Sequence, residues 1–170
     1  MHNLRTELKP NIIVFDLDDT LWPFHVDWTV QGPFHKKNGK VYDSCGEELL
    51  PYPDVPEILE NLSKDGYTLA AASRTTIPAY AEQMLKLYDW NKYFKYKEIY
   101  PSCKVKHFEK IMKQSGISYE KMLFFDDEYR NIEDIQKLGV TCIYIKQGGL
   151  TKSELCKGLK THEIKLKTQK

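Results

Sequence analysis

The sequence predicts an α/β fold in which a Rossmann-like parallel sheet is flanked by helices on both faces. Two observations support this prediction: short, fully apolar runs recur along the chain, and segments with apolar residues at helical spacing separate them. Strands buried on both faces are typical of parallel sheets, and their alternation with helices favours right-handed βαβ units. A chain of 170 residues with 41% hydrophobic residues is expected to form a single domain over residues 1–170.

The predicted strands are short, and most of them are rich in apolar residues. They cover residues 12–15, 67–73, 122–127 and 142–146, with a less apolar candidate at 98–100. In a parallel sheet, ligands bind beyond the carboxyl ends of the strands. Candidate functional residues are therefore sought in the segments that follow the strands, at 16–20, 73–76, 101–104 and 126–131.

Four helices are predicted between the strands, at residues 54–66, 76–88, 104–116 and 129–139. Apolar residues recur at helical spacing in each, and we interpret the apolar stripe as the side that faces the core. The first of these helices carries boundary signals at both ends. Asp54 stands at the N-cap position, Pro56 in the first turn and Gly66 after the last turn.

Residues 21–50 interrupt the alternation of strands and helices. They contain no long helical pattern, but they include Gly32-Pro33 and an Asn38-Gly39 turn signal. This segment predicts a small β-hairpin flap next to the end of the first strand. It is too short for a large cap domain.

The aromatic residues of the flap allow two interpretations. They either line the mouth of a substrate site or pin the hairpin to the body of the protein, and we favour the mouth for Trp22 and Phe24. The lysine-rich tail at residues 160–170 is expected to be a frayed terminus rather than a binding arm.

The charge balance excludes a strong global field. Twenty-five Lys and Arg residues offset twenty-four Asp and Glu residues, so neither a nucleic acid nor a membrane is expected as a partner. No apolar run approaches the ~20 residues that span a bilayer, and the first ten residues lack the apolar core of a signal peptide. The four cysteines form no CxxC pair, which favours reduced thiols in a cytoplasmic or nuclear protein. A monomer is the simplest expectation.

The end of the first predicted strand, in the stretch NIIVFDLDDTLW, collects Asp16, Asp18 and Asp19. Ionised carboxylates crowded into a half-enclosed site are costly unless they bind a cation. Asp126 and Asp127 end another apolar run, so carboxylates from two strand ends can meet at one ion. Because Mg²⁺ prefers oxygen ligands and is usually held by one or two carboxylates plus a substrate phosphate, Mg²⁺ is the expected cofactor.

The spacing of Asp16 and Asp18 permits a division of labour in phosphoryl transfer. One carboxylate can attack phosphorus while the other supplies and later removes a proton. The reaction also needs cations and donors around the phosphoryl oxygens, which Ser73 and Lys104 can provide. Lys106 is an alternative to Lys104 on the same predicted helix.

Four motifs then appear in order along the chain: VFDLDDT, AAASRT, Lys104 and FFDDEYRN. They resemble the signature motifs of the haloacid dehalogenase superfamily of aspartate-nucleophile phosphatases. With TLWPF and EIYPSCK included, the chain resembles the eukaryotic magnesium-dependent phosphatase family, whose members lack a large cap. The resemblance extends from about Ile12 to Ile145.

The resemblance implies roles for the residues that match these motifs. Asp16 is expected to be the nucleophile and a metal ligand. Asp18 is expected to be the general acid and base, with its backbone carbonyl on the metal, and Asp127 to hold Mg²⁺ directly or through water. Ser73 is expected to bind a phosphoryl oxygen, and Lys104 to neutralise charge on the nucleophile and the phosphate.

Supporting roles follow for the neighbouring residues. Asp126 and Asn131 are expected to support the metal site, and Thr20 to steady the turn after the first strand. Apart from the resemblance, Arg74 either forms a structural ion pair or contacts the substrate, and Trp22, as a flap aromatic at the mouth, is expected to contact the substrate.

The resulting hypothesis is a Mg²⁺-dependent phosphomonoesterase that forms a phospho-aspartyl intermediate. The family resemblance suggests phosphotyrosine-type phosphoproteins or phosphorylated, glycated sugars as substrates. Two alternatives remain: a receiver-like phosphoacceptor module and a phosphate-binding scaffold without catalysis. The DxD pattern on the first strand disfavours the receiver, which needs a lone acceptor on a middle strand, where this chain has Ser73.

Overall fold

The structure, a computed structural model, describes residues 7–170. Its seven strands are β1 (Ile12–Phe15), β2 (His35–Lys37), β3 (Lys40–Tyr42), β4 (Thr68–Ser73), β5 (Phe94–Ile99), β6 (Met122–Asp126) and β7 (Thr141–Tyr144). Five α-helices lie wholly within these residues: α1 (Val55–Lys64), α2 (Pro78–Leu87), α3 (Lys104–Ser115), α4 (Tyr129–Gln136) and α5 (Lys152–Thr168). Five strands form a parallel sheet in the order β5-β4-β1-β6-β7. The predicted α/β fold is confirmed.

Strand β1 lies at the centre of the sheet, between β4 and β6. Its four residues are at most 1% exposed, because helices cover both faces. Ile13 and Phe15 pack on the side of α1, α2 and α5, whereas Ile12 and Val14 pack on the side of α3 and α4. The most apolar strand therefore carries the first aspartates to the middle of the sheet edge.

The helices begin and end within a few residues of the predicted positions. Asp54 occupies the N-cap position of α1 without capping that helix, since its Oδ2 accepts a 2.9 Å hydrogen bond from the Lys152 N–H at the start of α5. Gly116 ends α3 in the left-handed conformation, with φ of 70°. That conformation favours glycine.

The flap is the predicted hairpin. Strands β2 and β3 pair antiparallel, and the turn between them places Asn38 and Gly39 at φ of 50° and 78°. Both residues tolerate the left-handed region that a tight hairpin turn requires. Between β1 and α1 the chain contains only this hairpin and its flanking loops, so the carboxyl edge of the sheet stays open on that side.

The C-terminal segment differs from the prediction. The expectation of a frayed tail at residues 160–170 is wrong, because residues up to Thr168 belong to helix α5. Gly158 lets the helix approach the Phe125 ring, and His162 is fully buried with its Nδ1 2.8 Å from the Thr141 hydroxyl. Within the described part of the chain, no helix is long and apolar enough to cross a membrane.

Candidate active site

The turn after β1 presents two carboxyls to the same cavity. Asp16 continues the sheet pairing, since its N–H donates to the Phe125 carbonyl at 3.0 Å. The chain then reverses: the Leu21 N–H donates back to the Leu17 carbonyl at 2.8 Å, and Asp19 takes the left-handed conformation with φ of 58°. Because the backbone turns here, Asp16 and Asp18 both line the cavity although they are two residues apart.

This cavity has a volume of about 530 Å³ and lies at the carboxyl edge of the parallel sheet. It brings together most of the residues that the sequence singled out. Those that line it are Asp16, Asp18, Ser73, Arg74, Lys104, Asp127 and Asn131. Thr20 and Asp126 lie behind this lining, and both are completely buried.

Lys104, the third motif, contacts residues of the first and fourth motifs. Its side chain is 1% exposed, and its Nζ lies 2.8 Å from Asp16 Oδ1 and 3.1 Å from Asp126 Oδ2. It also donates to the Ala72 carbonyl, which uses the third ammonium hydrogen. Burial alone lowers the pKa of Lys104, but the two carboxylates outweigh burial and raise it above its usual value. Lys106 is exposed, so the geometry favours Lys104 as the lysine of the site.

Asp126 is fully buried beneath the cavity, and its carboxylate accepts several hydrogen bonds. Its Oδ1 accepts from the Glu128 N–H at 2.8 Å, and its Oδ2 accepts from the Asn131 amide at 3.0 Å as well as from Lys104. Burial and the nearby Asp16 carboxylate raise the pKa of Asp126 to about 6. Asp126 thus connects Lys104, Asn131 and the backbone at the start of α4.

Arg74 extends the same network to the cavity wall. Its guanidinium donates a 3.0 Å hydrogen bond to the Asn131 side-chain carbonyl. The partner is a neutral amide, so this contact is not the structural ion pair considered from the sequence. Arg74 remains half-buried and lines the cavity.

A group of three carboxyls is suited to a divalent cation. Oxygens of Asp16, Asp126 and Asp127 lie within 4.8 Å of one another. The Thr20 hydroxyl lies 3.2 Å from Asp16 Oδ2 and 3.4 Å from Asp127 Oδ1, and its one hydrogen can satisfy only one of them at a time. Burial, together with the Asp16 charge, raises the pKa of Asp127 to about 9. Such crowded oxygen ligands fit Mg²⁺, which would offset their repulsion.

Asp18 lines the same cavity but has different neighbours from the three carboxyls. Its Oδ1 accepts from the Trp22 indole N–H at 2.7 Å and from the Val26 N–H at 3.3 Å. Its Oδ2 lies 3.7 Å from His25 Nδ1. Burial is the largest effect on this carboxyl, and it raises the pKa of Asp18 to about 7 despite these donors. A carboxyl with that pKa can both hold and release a proton near neutral pH.

The prediction that Trp22 contacts substrate at the mouth is wrong. Its side chain is 0% exposed and packs in an aromatic cluster, with ring centroids 5.7 Å from Phe24 and 6.2 Å from Trp90. Phe24 is also buried. The aromatic residue of the flap that lines the cavity is Trp28, which is 73% exposed.

Sequence reasoning missed two flap residues that line the cavity, His25 and Asp27, and among the flap aromatics it favoured Trp22 and Phe24 for the mouth rather than Trp28. His25 Nε2 lies 2.7 Å from Asp19 Oδ2, and the His25 and Trp28 rings are 5.2 Å apart. Asp27 Oδ2 accepts hydrogen bonds of 2.9 Å from both the N–H and the hydroxyl of Thr76, which ties the flap to the start of α2. The only signal in the sequence was their position shortly after the first strand.

Ser73 is 2% exposed and ends β4 at the cavity. Its hydroxyl accepts a 3.2 Å hydrogen bond from the Thr75 N–H, so the hydroxyl hydrogen is free to point towards a ligand. Its carbonyl accepts from the Tyr100 N–H at 3.1 Å. The strand end is thereby linked to the loop that leads into α3.

This arrangement of sheet, flap and carboxyls defines the class of the protein as a haloacid dehalogenase-like phosphatase. Two solved structures share the fold. The phosphatase domain of BF1531 from Bacteroides fragilis, complexed with Mg, gives a TM-score of 0.60 at 15% identity over 89% of this chain and 40% of that chain. CbbY from Rhodobacter sphaeroides, in complex with phosphate, gives a TM-score of 0.58 at 14% identity, over 81% of this chain and 86% of that chain.

The chain belongs to the acid phosphatase family, whose family model matches residues 8–165. It is 50% identical over 153 residues to Magnesium-dependent phosphatase 1 of Homo sapiens, covering 89% of this chain and 86% of that protein. It is 43% identical over 144 residues to a HAD-like hydrolase superfamily protein of Schizosaccharomyces pombe, covering 78% of this chain and 83% of that protein. The resemblance stated from the motifs is confirmed.

The protein is therefore a magnesium-dependent phosphatase that hydrolyses phosphoric monoesters. Membership of a hydrolase family disfavours the receiver-like module and the inactive scaffold.

Proposed function

We propose that the protein hydrolyses phosphomonoesters through a phospho-aspartyl intermediate on Asp16, with Asp18 as the general acid and base. The observation that carries this proposal is the different environment of two carboxyls that line one cavity. Asp16 is paired with the Lys104 ammonium at 2.8 Å. Among residues 7–170 no lysine pairs with Asp18, and burial raises the pKa of Asp18 to about 7. The first environment suits an ionised nucleophile, and the second suits a group that exchanges a proton.

In the first step, an Asp16 carboxylate oxygen bonds to phosphorus while the bond from phosphorus to the ester oxygen breaks. Asp18 gives its proton to the departing oxygen. In the second step, Asp18 takes a proton from a water molecule, which attacks phosphorus and breaks the bond to Asp16. Inorganic phosphate leaves, and both aspartates return to their starting states.

The remaining groups stabilise charge during these steps. Ser73 and Arg74 donate to phosphoryl oxygens, and Lys104 offsets the charge of the nucleophile and the phosphate. Asp16, Asp127 and the backbone carbonyl of Asp18 would hold Mg²⁺, which supplies further positive charge beside the phosphoryl group.

The test of these roles is to trap the intermediate. Wild-type protein quenched with acid during turnover of a ³²P-labelled phosphomonoester should carry label on the peptide that contains Asp16, and hydroxylamine should release it. Asp16→Asn should carry no label and show no turnover. Label found on His25 or Cys103, or wild-type turnover by Asp16→Asn, would contradict the proposal.

We also propose that the substrates are phosphomonoesters carried on larger molecules, of the phosphotyrosyl or glycated-sugar phosphate type. The short flap leaves the cavity mouth open, and an exposed indole stands at the mouth. Trp28 is 73% exposed, and the Arg130 side chain, also on the cavity wall, is 63% exposed. A planar aromatic surface and a guanidinium can contact groups outside the phosphate pocket.

A substrate panel tests this second part. We expect kcat/KM for a phosphotyrosyl peptide or a peptide carrying a ketosamine phosphate to exceed that for free sugar phosphates. A clear preference for small free sugar phosphates would contradict the proposed substrate class. It would not contradict the proposed phospho-aspartyl mechanism.

The proposed setting is a reducing compartment such as the cytoplasm or nucleus, and the proposed form is a monomer with one phosphatase domain. All four cysteines are free thiols, and the family match over residues 8–165 supports one domain. Light scattering of the purified protein tests the monomer, and imaging of the tagged protein in cells tests the compartment.

A further inference from the structure

We propose that His107 is a positioning residue of the phosphatase reaction, which fixes Ser73 relative to Lys104. This inference rests on the proposed function, because it gives His107 its effect through the phosphate contacts of those two residues. His107 itself does not line the cavity.

The imidazole of His107 contacts three backbone carbonyls in two separate segments of the chain, the end of β4 and the loop between β5 and α3. Its Nε2 lies 3.0 Å from the carbonyl oxygen of Ser73 and 3.0 Å from that of Tyr100, and its Nδ1 lies 3.0 Å from that of Cys103. The ring is fully buried and stacks on the Tyr100 ring at a centroid distance of 4.3 Å and an angle of 8°. These carbonyls belong to the end of β4, the loop after β5 and the residue before α3.

The first turn of α3 thereby holds the last two carbonyls of β4. Lys104 donates to the Ala72 carbonyl, and the Nε2 of His107, three residues further along the helix, lies 3.0 Å from the Ser73 carbonyl oxygen. Both contacts connect the strand that carries the proposed phosphate-binding hydroxyl to the helix that carries the proposed catalytic ammonium. A shift of α3 against β4 has to break one of them.

The hydrogen-bond chemistry assigns the working nitrogen of His107. A carbonyl oxygen only accepts hydrogen bonds, so Nε2 has to carry a hydrogen in order to bind Ser73 or Tyr100. A hydrogen on Nε2 serves two carbonyls, whereas one on Nδ1 serves only Cys103. All three contacts of the buried ring nitrogens are with backbone carbonyl oxygens. Substitutions that replace one nitrogen at a time can therefore separate the effects of Nδ1 and Nε2 on activity.

Displacing catalytic groups by about 1 Å can cost roughly 100-fold in rate. We therefore expect His107→Leu, which removes both nitrogens, to lower kcat/KM by up to about 100-fold and to raise the inhibition constant of inorganic phosphate. His107→Gln places an amide N–H group near the Nε2 position and should recover most of the activity. His107→Asn reaches only the Nδ1 position and should remain close to the leucine variant.

The matched control is His162→Leu. His162 is equally buried, but it contacts Thr141 at the opposite edge of the sheet. The His162→Leu variant should therefore have a changed Tm, but the same kcat/KM and the same inhibition constant for inorganic phosphate as the wild type. If His107→Leu does not fold, the comparison of the glutamine and asparagine variants at equal Tm decides the question.

Combination with Ser73→Ala separates positioning from general packing. If His107 acts through Ser73, then His107→Leu should lower kcat/KM much less in the Ser73→Ala background than in the wild type. Equal losses in both backgrounds, or equal activity of the glutamine and asparagine variants, would overturn the inference. If Ser73→Ala and Lys104→Met are themselves fully active, the proposed function fails; if they are impaired while His107→Leu is fully active, only the positioning role fails.

Discussion

The indole N–H of Trp22 donates a 2.7 Å hydrogen bond to Oδ1 of Asp18, so a completely buried aromatic residue directly contacts the proposed acid and base. This hydrogen bond stabilises the carboxylate form and works against burial, which raises the pKa of Asp18 to about 7. The aromatic cluster around Trp22 therefore influences the chemistry although it is shielded from the substrate cavity.

Replacing Trp22 by Phe should shift the pH dependence of the reaction. Loss of the indole donor raises the pKa of Asp18, so the protonated acid needed in the first step persists to higher pH. We expect the falling limb of kcat/KM to move to higher pH by roughly one unit. Trp90→Phe is the control, because Trp90 packs against Trp22 without a hydrogen bond to Asp18 in the structure. If the falling limb of the pH profile of kcat/KM lies at the same pH in Trp22→Phe as in the wild type, the proposed effect of Trp22 on the pKa of Asp18 is contradicted.

Asp18→Asn should slow both chemical steps, because the amide neither gives nor takes the required proton. General acid–base assistance is worth about 10²–10⁴-fold, and kcat should fall by that amount. The loss should be smaller for an ester with a good leaving group such as p-nitrophenyl phosphate, which needs less protonation, provided that the first step limits the rate. Equal losses for alkyl and nitrophenyl esters in single-turnover phosphorylation would count against Asp18 as the acid.

Lys104→Met should remove both activity and stability. The change leaves the buried carboxyls of Asp16 and Asp126 without their shared cation, which we expect to cost about 3–5 kcal/mol of unfolding free energy. Adding Asp126→Asn should return part of that stability, as measured by urea unfolding, without restoring kcat. Lys106→Met alters an exposed lysine two residues away and should be nearly neutral. A strong loss of activity in Lys106→Met would show that the role assigned to Lys104 belongs to Lys106.

In the metal-free protein, the contribution of the site carboxyls to the free energy of unfolding should fall as pH rises. The pKa of Asp127 lies at about 9 in the folded protein and near 3.8 for an unperturbed group. Between these values the folded state binds more protons than the unfolded state, so this group's contribution to the free energy of unfolding decreases with pH. Asp18 and Asp126, with raised pKa values of about 7 and 6, act in the same direction at lower pH.

Added Mg²⁺ competes with these protons, so it should raise Tm more at pH 8 than at pH 5. Differential scanning fluorimetry in EDTA and in Mg²⁺ measures both effects, and EDTA should also abolish activity until Mg²⁺ is restored. Asp127→Asn should weaken the pH dependence and the response to Mg²⁺. If plots of Tm against pH run parallel for Asp127→Asn and the wild type, both in EDTA and in Mg²⁺, then Asp127 does not cause the pH dependence or the response to Mg²⁺.

Trp28→Ala should affect recognition of aromatic esters rather than folding. An aromatic contact is worth about 0.5–1.5 kcal/mol, so kcat/KM for phosphotyrosine should fall about two- to tenfold. Because the side chain is 73% exposed, Tm should change little. Trp28→Phe should retain much of the effect, and glycerol phosphate should be hydrolysed equally well by all three proteins. An equal loss with glycerol phosphate would contradict a ring contact.

The parts of the fold and site that depend on local sequence were predictable. Strand β1 is a fully apolar run followed directly by Asp16 and Asp18, and a parallel sheet places its strand ends at one edge. The edge strand β5 was harder to recognise. It covers Phe94–Ile99 rather than 98–100, because exposed and half-buried residues interrupt its apolar pattern between Phe94 and Ile99.

The errors concern residues whose surroundings come from distant parts of the chain. Trp22 is buried because Tyr88 and Trp90, beyond the end of α2, complete its aromatic cluster. Helix α5 was missed because its inner face is weakly apolar. Gly158 and His162 are its buried residues, and lysines occupy many of the others. The burial of Trp22 has no local sequence signal, whereas the start of α5 has one: Thr151 precedes Glu154 by three residues, and its side chain accepts a 3.1 Å hydrogen bond from the Glu154 N–H.

The groups assigned to the reaction come from four different elements. Asp16 follows β1, Ser73 ends β4, Lys104 begins α3 and Asp127 follows β6. No single hairpin or contiguous fragment of the polypeptide supplies more than part of this set. Turnover should therefore return late when denatured protein is diluted into buffer, after secondary structure has recovered, and enzymatic assay should serve as a stringent reporter of correctly completed refolding.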